Sequence, residues 1–170
     1  VALLRDGTVA DGPGHATVMG PMAEVVAHST QHLRADDLQA MAVYLKDLPV
    51  QAEPVPDVEP AAPAQMDLGQ RVYQQHCADC HGAQGQGATG AYPPLAGNRA
   101  VVMASPVNTV QAIVSGGFAP ATAGHPQPYG MPPFRTLLSP AEIAAVASFV
   151  RQSWGNRAGA VSALDVQRVR

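Results

Sequence analysis

Cys77-Ala78-Asp79-Cys80-His81 is the stretch on which the reading of this sequence turns. Two thiols three residues apart can add to the two vinyl groups of one porphyrin, and the residue after the second thiol then lies beneath the iron and offers it an imidazole. A C-x-x-C pair also occurs as a redox dithiol or as half of a zinc site. Zinc would need a second cluster of thiols or histidines, yet Cys77 and Cys80 are the only cysteines and no paired histidines follow them. A structural disulfide between them would close only a tiny loop. The motif therefore predicts haem c attached through Cys77 and Cys80, with His81 as the proximal iron ligand.

The sixth iron ligand decides between electron transfer, which suits a closed site with a high potential, and catalysis, which needs an open position for oxygen or peroxide. Two methionines lie downstream. Met103, in Val101-Val102-Met103, belongs to an apolar stretch leading into a helix and reads as core. Met131, in Tyr129-Gly130-Met131-Pro132-Pro133-Phe134, sits in a loop that also holds Pro120, Pro126 and Pro128. Such a loop loses little entropy on ordering and can hold a flexible thioether in place. Met131 is the expected distal ligand.

Working outward, the 170 residues are 46% hydrophobic and 14% charged, enough for one or two small domains with cores of their own. A net charge of -3 excludes the basic footprint of a nucleic-acid binder. No apolar run approaches the roughly 20 residues that span a bilayer. Val1 is followed by no signal-peptide pattern, so the numbering is expected to start inside a processed or truncated protein. Residues 49–64, with Pro49, Pro54, Pro56, Pro60 and Pro63, read as a semi-rigid linker between residues 1–48 and a self-contained domain over 65–156. Residues 157–170 read as a polar tail.

The periodicity predicts an all-α chain with long Pro/Gly-rich loops. Asp67 to Gln75 reads as helical. Ser105-Pro106 starts a helix that runs through Val110, Ile113 and Val114 to Gly116-Gly117. Ile143, Val146, Ala147 and Val150 form one apolar face, introduced by a capping box of Ser139 and Glu142 with Pro140 at the first helical position. Leu38, Met41, Ala42 and Leu45 repeat that face 105 residues earlier, and Tyr44 repeats Phe149. A domain this small buries little apolar surface, so the haem is expected to complete the core, contacted by Leu95, Ile113, Val114 and Phe134.

Gly69, Tyr73, Cys77, Cys80 and His81 resemble the first helix and haem motif of class I cytochromes c. The resemblance implies that fold, with Gly69 and Tyr73 crossing Phe149 of the last helix. It also implies a proline carbonyl accepting a hydrogen bond from His81, assigned to Pro93 with Pro94 as the alternative. Gly130-Met131-Pro132 is similar to the family's distal-ligand motif. A narrower likeness covers almost the whole chain, through Pro93-Pro94-Leu95-Ala96-Gly97-Asn98, Pro120-Ala121-Thr122-Ala123-Gly124, Met131-Pro132-Pro133-Phe134 and Ser153-Trp154-Gly155-Asn156. These resemble the C-terminal part of the multihaem cytochrome c subunit of membrane-associated alcohol and sugar-acid dehydrogenases.

That likeness implies a relay of electrons from a partner dehydrogenase towards quinone or a terminal oxidase. It implies a periplasmic location, peripheral on the outer face of the inner membrane through the complex. It also implies that residues 1–48, through Gly20-Pro21-Met22-Ala23-Glu24-Val25-Val26, are the distal part of a preceding cytochrome domain, with Met22 as ligand of a second haem. Here the sequence departs from the family: no C-x-x-C-H precedes Met22, and the Met22-to-Leu33 spacing is four residues longer than that from Met131 to Leu138. The apolar face of Leu38, Met41, Ala42 and Leu45 is accordingly expected to be covered by protein outside residues 65–156.

Asn98 and Arg99 carry donors that suit a haem propionate, with a surface loop as the equal alternative. His15, His28, His32, His76 and His125 read as solvated or hydrogen-bonded, His125 sharing the loop of Met131. Tyr92 and Trp154 read equally as packing or as redox relays. Two rivals to electron transfer are a peroxidase-like haem enzyme with a displaceable sixth ligand and a haem-based sensor. No nucleophile, base or second cofactor site for catalysis by the chain itself is visible.

Overall fold

In a computed structural model describing residues 1–9, 15–49 and 58–169, two helices cross at the centre of the C-terminal part. They are α4 (Pro63–His76) and α7 (Pro140–Gln152). In chain order the other elements are α1 (Ala2–Arg5), β1 (Thr8–Val9), β2 (Ala16–Thr17), α2 (Pro21–His28) and α3 (Ala35–Asp47), with a single 3-10 turn at Thr30–His32 between the last two. After α4 come α5 (Ala78–His81), α6 (Val107–Ser115), β3 (Gly117–Phe118) and β4 (Gly130–Met131); α8 (Ala163–Val169) follows α7. The fold is helical as expected. The two-residue antiparallel ladders β1–β2 and β3–β4, which no sequence periodicity announces, are added to it.

Helix α7 begins as its sequence dictates. The Ser139 hydroxyl accepts the Glu142 N–H and the Glu142 carboxylate accepts the Ser139 N–H, at 3.3 and 2.8 Å, so two donors of the first turn find partners. Ile143, Val146, Ala147 and Val150 are buried as their spacing predicts, but so are Ala144, Ala145, Ser148 and Arg151. The reason is that α7 is covered by α4, α6 and α8 together. The crossing with α4 runs through Gly69. A Cβ there would lie 2.7 Å from the Phe149 Cβ and closer still to the Ala145 carbonyl oxygen, so only a missing side chain allows the approach. Beside it the rings of Tyr73, Phe149 and Trp154 cluster, with centroids 5.5 Å apart for Tyr73–Phe149 and 4.9 Å for Tyr73–Trp154. Trp154 is thereby a packing residue.

Residues 157–170 are not the polar tail expected. Ala158, Val161 and Val166 are buried, and α8 packs on α6 and α7. Ser162 and Asp165 form its cap, the Asp165 carboxylate accepting the Ser162 N–H at 2.9 Å. Ala158, Val161 and Val166 are brought together against the flank of α7, with Val169 beside them, which the charged residues of the stretch disguise in the sequence. Residues 50–57 of the Pro-rich segment 49–64 lie outside the described residues. Its end is packed: Gln152 donates to the Glu59 carbonyl and accepts from the Ala61 N–H, both at 3.0 Å, and α4 starts at Pro63, earlier than its apolar pattern.

Among described residues 1–9 and 15–48, Ala23, Val26, Thr30 and Leu38 are buried, and the Thr30 hydroxyl donates to the Leu4 carbonyl. The segment also touches the C-terminal part, through residues outside the apolar face of α3. The Arg99 N–H donates to the His15 carbonyl at 3.0 Å, and the Gln31 amide donates to the Ala121 carbonyl (3.0 Å) while accepting from the Ala123 N–H (3.3 Å). Of the repeated face on α3, Leu38 is buried, whereas Met41 and Leu45 are exposed, as is Tyr44.

Candidate functional site

Helix α4 ends at the motif. The Cys77 N–H donates to the Tyr73 carbonyl at 2.9 Å, and the single turn of α5 then carries Cys80 and His81 before Gly82, whose φ of 78° stops the helix. The Tyr73 hydroxyl donates to the Gly82 carbonyl at 2.6 Å, pinning this turn to the crossing of α4 and α7. Both thiols and the imidazole thus project from one short stretch, Cys77 half-buried and Cys80 exposed. Burial, assisted by the neighbouring Cys80, pushes the free Cys77 thiol up to about 11.

His81 is held by its far nitrogen. Its Nδ1–H donates to the Pro93 carbonyl at 3.0 Å, which leaves Nε2 with the lone pair that a metal needs. Burial lowers the imidazole pKa, opposed by the Pro93 hydrogen bond, so the neutral, ligating form is favoured. Of the two candidate carbonyls, it is that of Pro93 which meets the histidine; that of Pro94 accepts from the Asn98 amide at 2.9 Å. The segment is close-packed because Gly87 (φ 67°) lies against it: a Cβ there would stand 2.7 Å from the Pro94 nitrogen. Leu95 and Ala96 donate to the Gly85 carbonyl at 2.7 and 2.9 Å.

Asn98 is buried, with its amide spent inside the loop, donating to Pro94 and accepting from the Ala100 N–H at 2.9 Å. It fastens the loop. Arg99 is exposed. Two fasteners are missed by the sequence reading. Asn156 accepts from the Gly97 N–H at 2.8 Å and donates to the Leu95 carbonyl at 3.0 Å, tying the loop to the end of α7. Arg151, 1% exposed, donates to the carbonyls of Val101 (2.7 Å) and Gly159 (3.0 Å). Nothing local marks either one; the partners that tie them to the loops, Gly97, Leu95 and Val101, are 59, 61 and 50 residues away.

On the distal side, Met131 lies on β4 paired with Gly117, half-buried against the main core. The Phe134 N–H donates to the Ile113 carbonyl at 3.0 Å, and Phe134, Ile113 and Val114 are buried in that core with Leu95 at its margin. Met103 is not core. It is 48% exposed, its sulfur facing the Asn108 amide at 3.5 Å, because Val101 and Val102 turn inward and leave the third residue outside. Met22 is 45% exposed in the first turn of α2. His28, His32 and His76 are exposed, and the His125 backbone bridges to Thr122. Among the described residues no group of three or more His, Cys, Asp or Glu side chains is placed to hold a bare metal ion.

The donor set fits a covalent haem: two thiols, an imidazole with a free Nε2, and a thioether in a loop facing the same core. Comparison with known proteins agrees. Residues 66–154 match the family model described as cytochrome c. The chain is 40% identical, over its whole length, to the cytochrome c subunit of the quinone alcohol dehydrogenase of Gluconobacter oxydans. It is 39% identical over 92% of its length to the corresponding subunit of Gluconacetobacter polyoxogenes. It is 34% identical, again over 92%, to the gluconate 2-dehydrogenase cytochrome c subunit of Pantoea cypripedii. It spans 37%, 36% and 38% of these curated relatives, little more than a third of each.

Proposed function

The chain belongs to the cytochrome c family, and from that premise we propose that it relays electrons from a partner dehydrogenase towards quinone or a terminal oxidase. In this reading haem c is attached at Cys77 and Cys80, with His81 and Met131 as axial ligands. Bound haem supplies a one-electron couple at iron. The chain's own residues do the rest. Pro93 orients His81 and keeps its proton on Nδ1, Met131 closes the distal side, and Leu95, Ile113, Val114 and Phe134 keep water from the pocket. Oxidation of an organic substrate falls to the dehydrogenase, as the names of the relatives suggest for their own complexes. The proposed location is the periplasm, peripheral on the outer face of the inner membrane; no described helix is long and apolar enough to cross a membrane.

The observation that carries the reading is the His81–Pro93 hydrogen bond, which occupies Nδ1 and leaves the Nε2 lone pair for iron. Met131→Ala should abolish the far-red sulfur-to-iron charge-transfer band of the oxidised protein and admit carbon monoxide to the reduced one. Retention of the band in Met131→Ala and its loss in Met103→Ala would overturn the assignment.

Residues 1–48 are proposed to be the distal part of a preceding cytochrome domain, with Met22 as ligand of a second haem. The order helix then tight ladder in α1–β1–β2 parallels α6–β3–β4 and supports this. So does a left-handed glycine between helix and ladder in both, Gly7 at φ 71° and Gly116 at φ 61°. Helix α2, which carries Met22, then intervenes before α3, whereas Met131 lies on β4 itself. Haem iron counted per intact polypeptide tests it: a single iron per polypeptide would refute a second haem.

A further inference from the structure

The loop behind His81 and the loop that carries Met131 come from opposite ends of the domain sequence, and something must hold them in register. The distal loop is anchored on the α6 side by the pairing of Gly117 with Met131 and by the Phe134–Ile113 hydrogen bond. The proximal loop is anchored elsewhere, through Asn156 and Gly85. Among the described residues, one ring contact joins residues 82–98 to residues 117–133, and no hydrogen bond does. That contact is between Tyr92 and Tyr129, centroids 5.2 Å apart and planes at 43°.

Each ring sits next to the element it would steady. Tyr92 directly precedes Pro93, whose carbonyl holds His81, and its backbone is fixed by an antiparallel bridge to Ala88. Tyr129 directly precedes Gly130–Met131. The Tyr92 phenol stands within hydrogen-bonding reach of the Cys80 sulfur, so its ring lies along the Cys80 edge of the site. Tyr129 is 59% exposed, so burial alone does not explain its ring lying on Tyr92.

We propose that Tyr92 and Tyr129 are positioning residues: a clasp that ties the proximal loop to the distal loop and so keeps the Met131 thioether on the iron. The proposal rests on the reading of Met131 as the sixth ligand. A tilted aromatic pair contributes about 0.5–1.5 kcal/mol beyond its buried area, which corresponds to a roughly two- to tenfold change in an equilibrium that opens the clasp.

The test is exogenous imidazole binding to the oxidised holoprotein, which competes with the methionine sulfur and is followed by loss of the far-red band. Tyr129→Leu and Tyr92→Leu should each bind imidazole about two- to tenfold more tightly. Tyr129→Phe, which keeps the ring, should bind as wild type. The double Leu variant should be no weaker-clasped than either single one, because the two rings act as a unit. Wild-type imidazole affinity in both Leu variants, or additive effects in the double variant, would overturn the clasp. Should Tyr129→Leu lose the band without added ligand, recovery in Tyr129→Phe supports the clasp and failure to recover refutes it. Met131→Ala separates the two ideas: a band that survives there condemns the ligand assignment, while a band lost there with unaltered Leu variants condemns only the clasp.

Discussion

Replacing Gly69 with alanine pits local preference against tertiary packing. In an isolated helix the change should stabilise α4 by about 1 kcal/mol, since glycine is the poorest ordinary helix former. In this protein the new methyl group would stand 2.7 Å from the Phe149 Cβ, where ordinary contact begins near 3.4 Å, and closer to the Ala145 carbonyl oxygen. Both obstacles are rooted in the α7 backbone, so no flexible side chain can swing aside. The helices must part by at least about 0.7 Å, loosening the Tyr73–Phe149–Trp154 cluster. Overpacking of this kind costs roughly 1–3 kcal/mol and a strained ring pair about 0.5–1.5 kcal/mol more. After the propensity gain is subtracted, the net loss is about 1–3 kcal/mol, or roughly 5–20 °C in Tm for a domain of this size. Thermal unfolding of the holoprotein by far-UV circular dichroism reads it directly. Gly159→Ala is the control: nothing lies within 4 Å of its Cβ position, and it should change stability by less than about 0.5 kcal/mol. A Gly69→Ala protein at least as stable as wild type would refute the reasoning that close backbone approach sets this crossing.

Three further outcomes are expected. Arg151→Leu leaves the buried carbonyls of Val101 and Gly159 without their donor and should lower stability by about 2–4 kcal/mol, seen as a fall in urea midpoint at unchanged m. The Ser139 hydroxyl and N–H hold the Glu142 carboxyl below its ordinary pKa, so its contribution is present above the unfolded-state value near about 4.3 and lost as pH falls through the folded one. Wild type and Glu142→Gln should therefore differ in Tm near neutrality and converge in acid; a gap that persists or widens in acid would contradict the capping argument. Cys77→Ala with Cys80→Ala should yield a poorly structured apoprotein, and a well-dispersed amide NMR spectrum with cooperative unfolding would show that the core is sufficient without haem.

What the sequence determined by itself is whatever a few adjacent residues encode. Cys77, Cys80 and His81 specify attachment chemistry within one turn, and Ser139 with Glu142 specifies the start of α7. Gly69 and Tyr73, four residues apart, already share one face of α4, and the family likeness supplied their partner Phe149. Family membership and haem c were legible on those residues alone. Tertiary structure decided everything that depends on which distant groups meet. Met103 sits in an apolar triplet yet faces outward, because the inward positions are taken by Val101 and Val102. Asn98 has donors that would suit a propionate, yet it is buried and ties its own loop to the Pro94 carbonyl. Arg151, which no local pattern singles out, is buried at the end of a helix and satisfied by a carbonyl 50 residues away. Val161 and Val166 belong to a stretch read as a polar tail, and their burial follows only once the flank of α7 is there to receive them. Burial and hydrogen-bond satisfaction are properties of pairs brought together by folding, and a local pattern can name one member of a pair without naming the other.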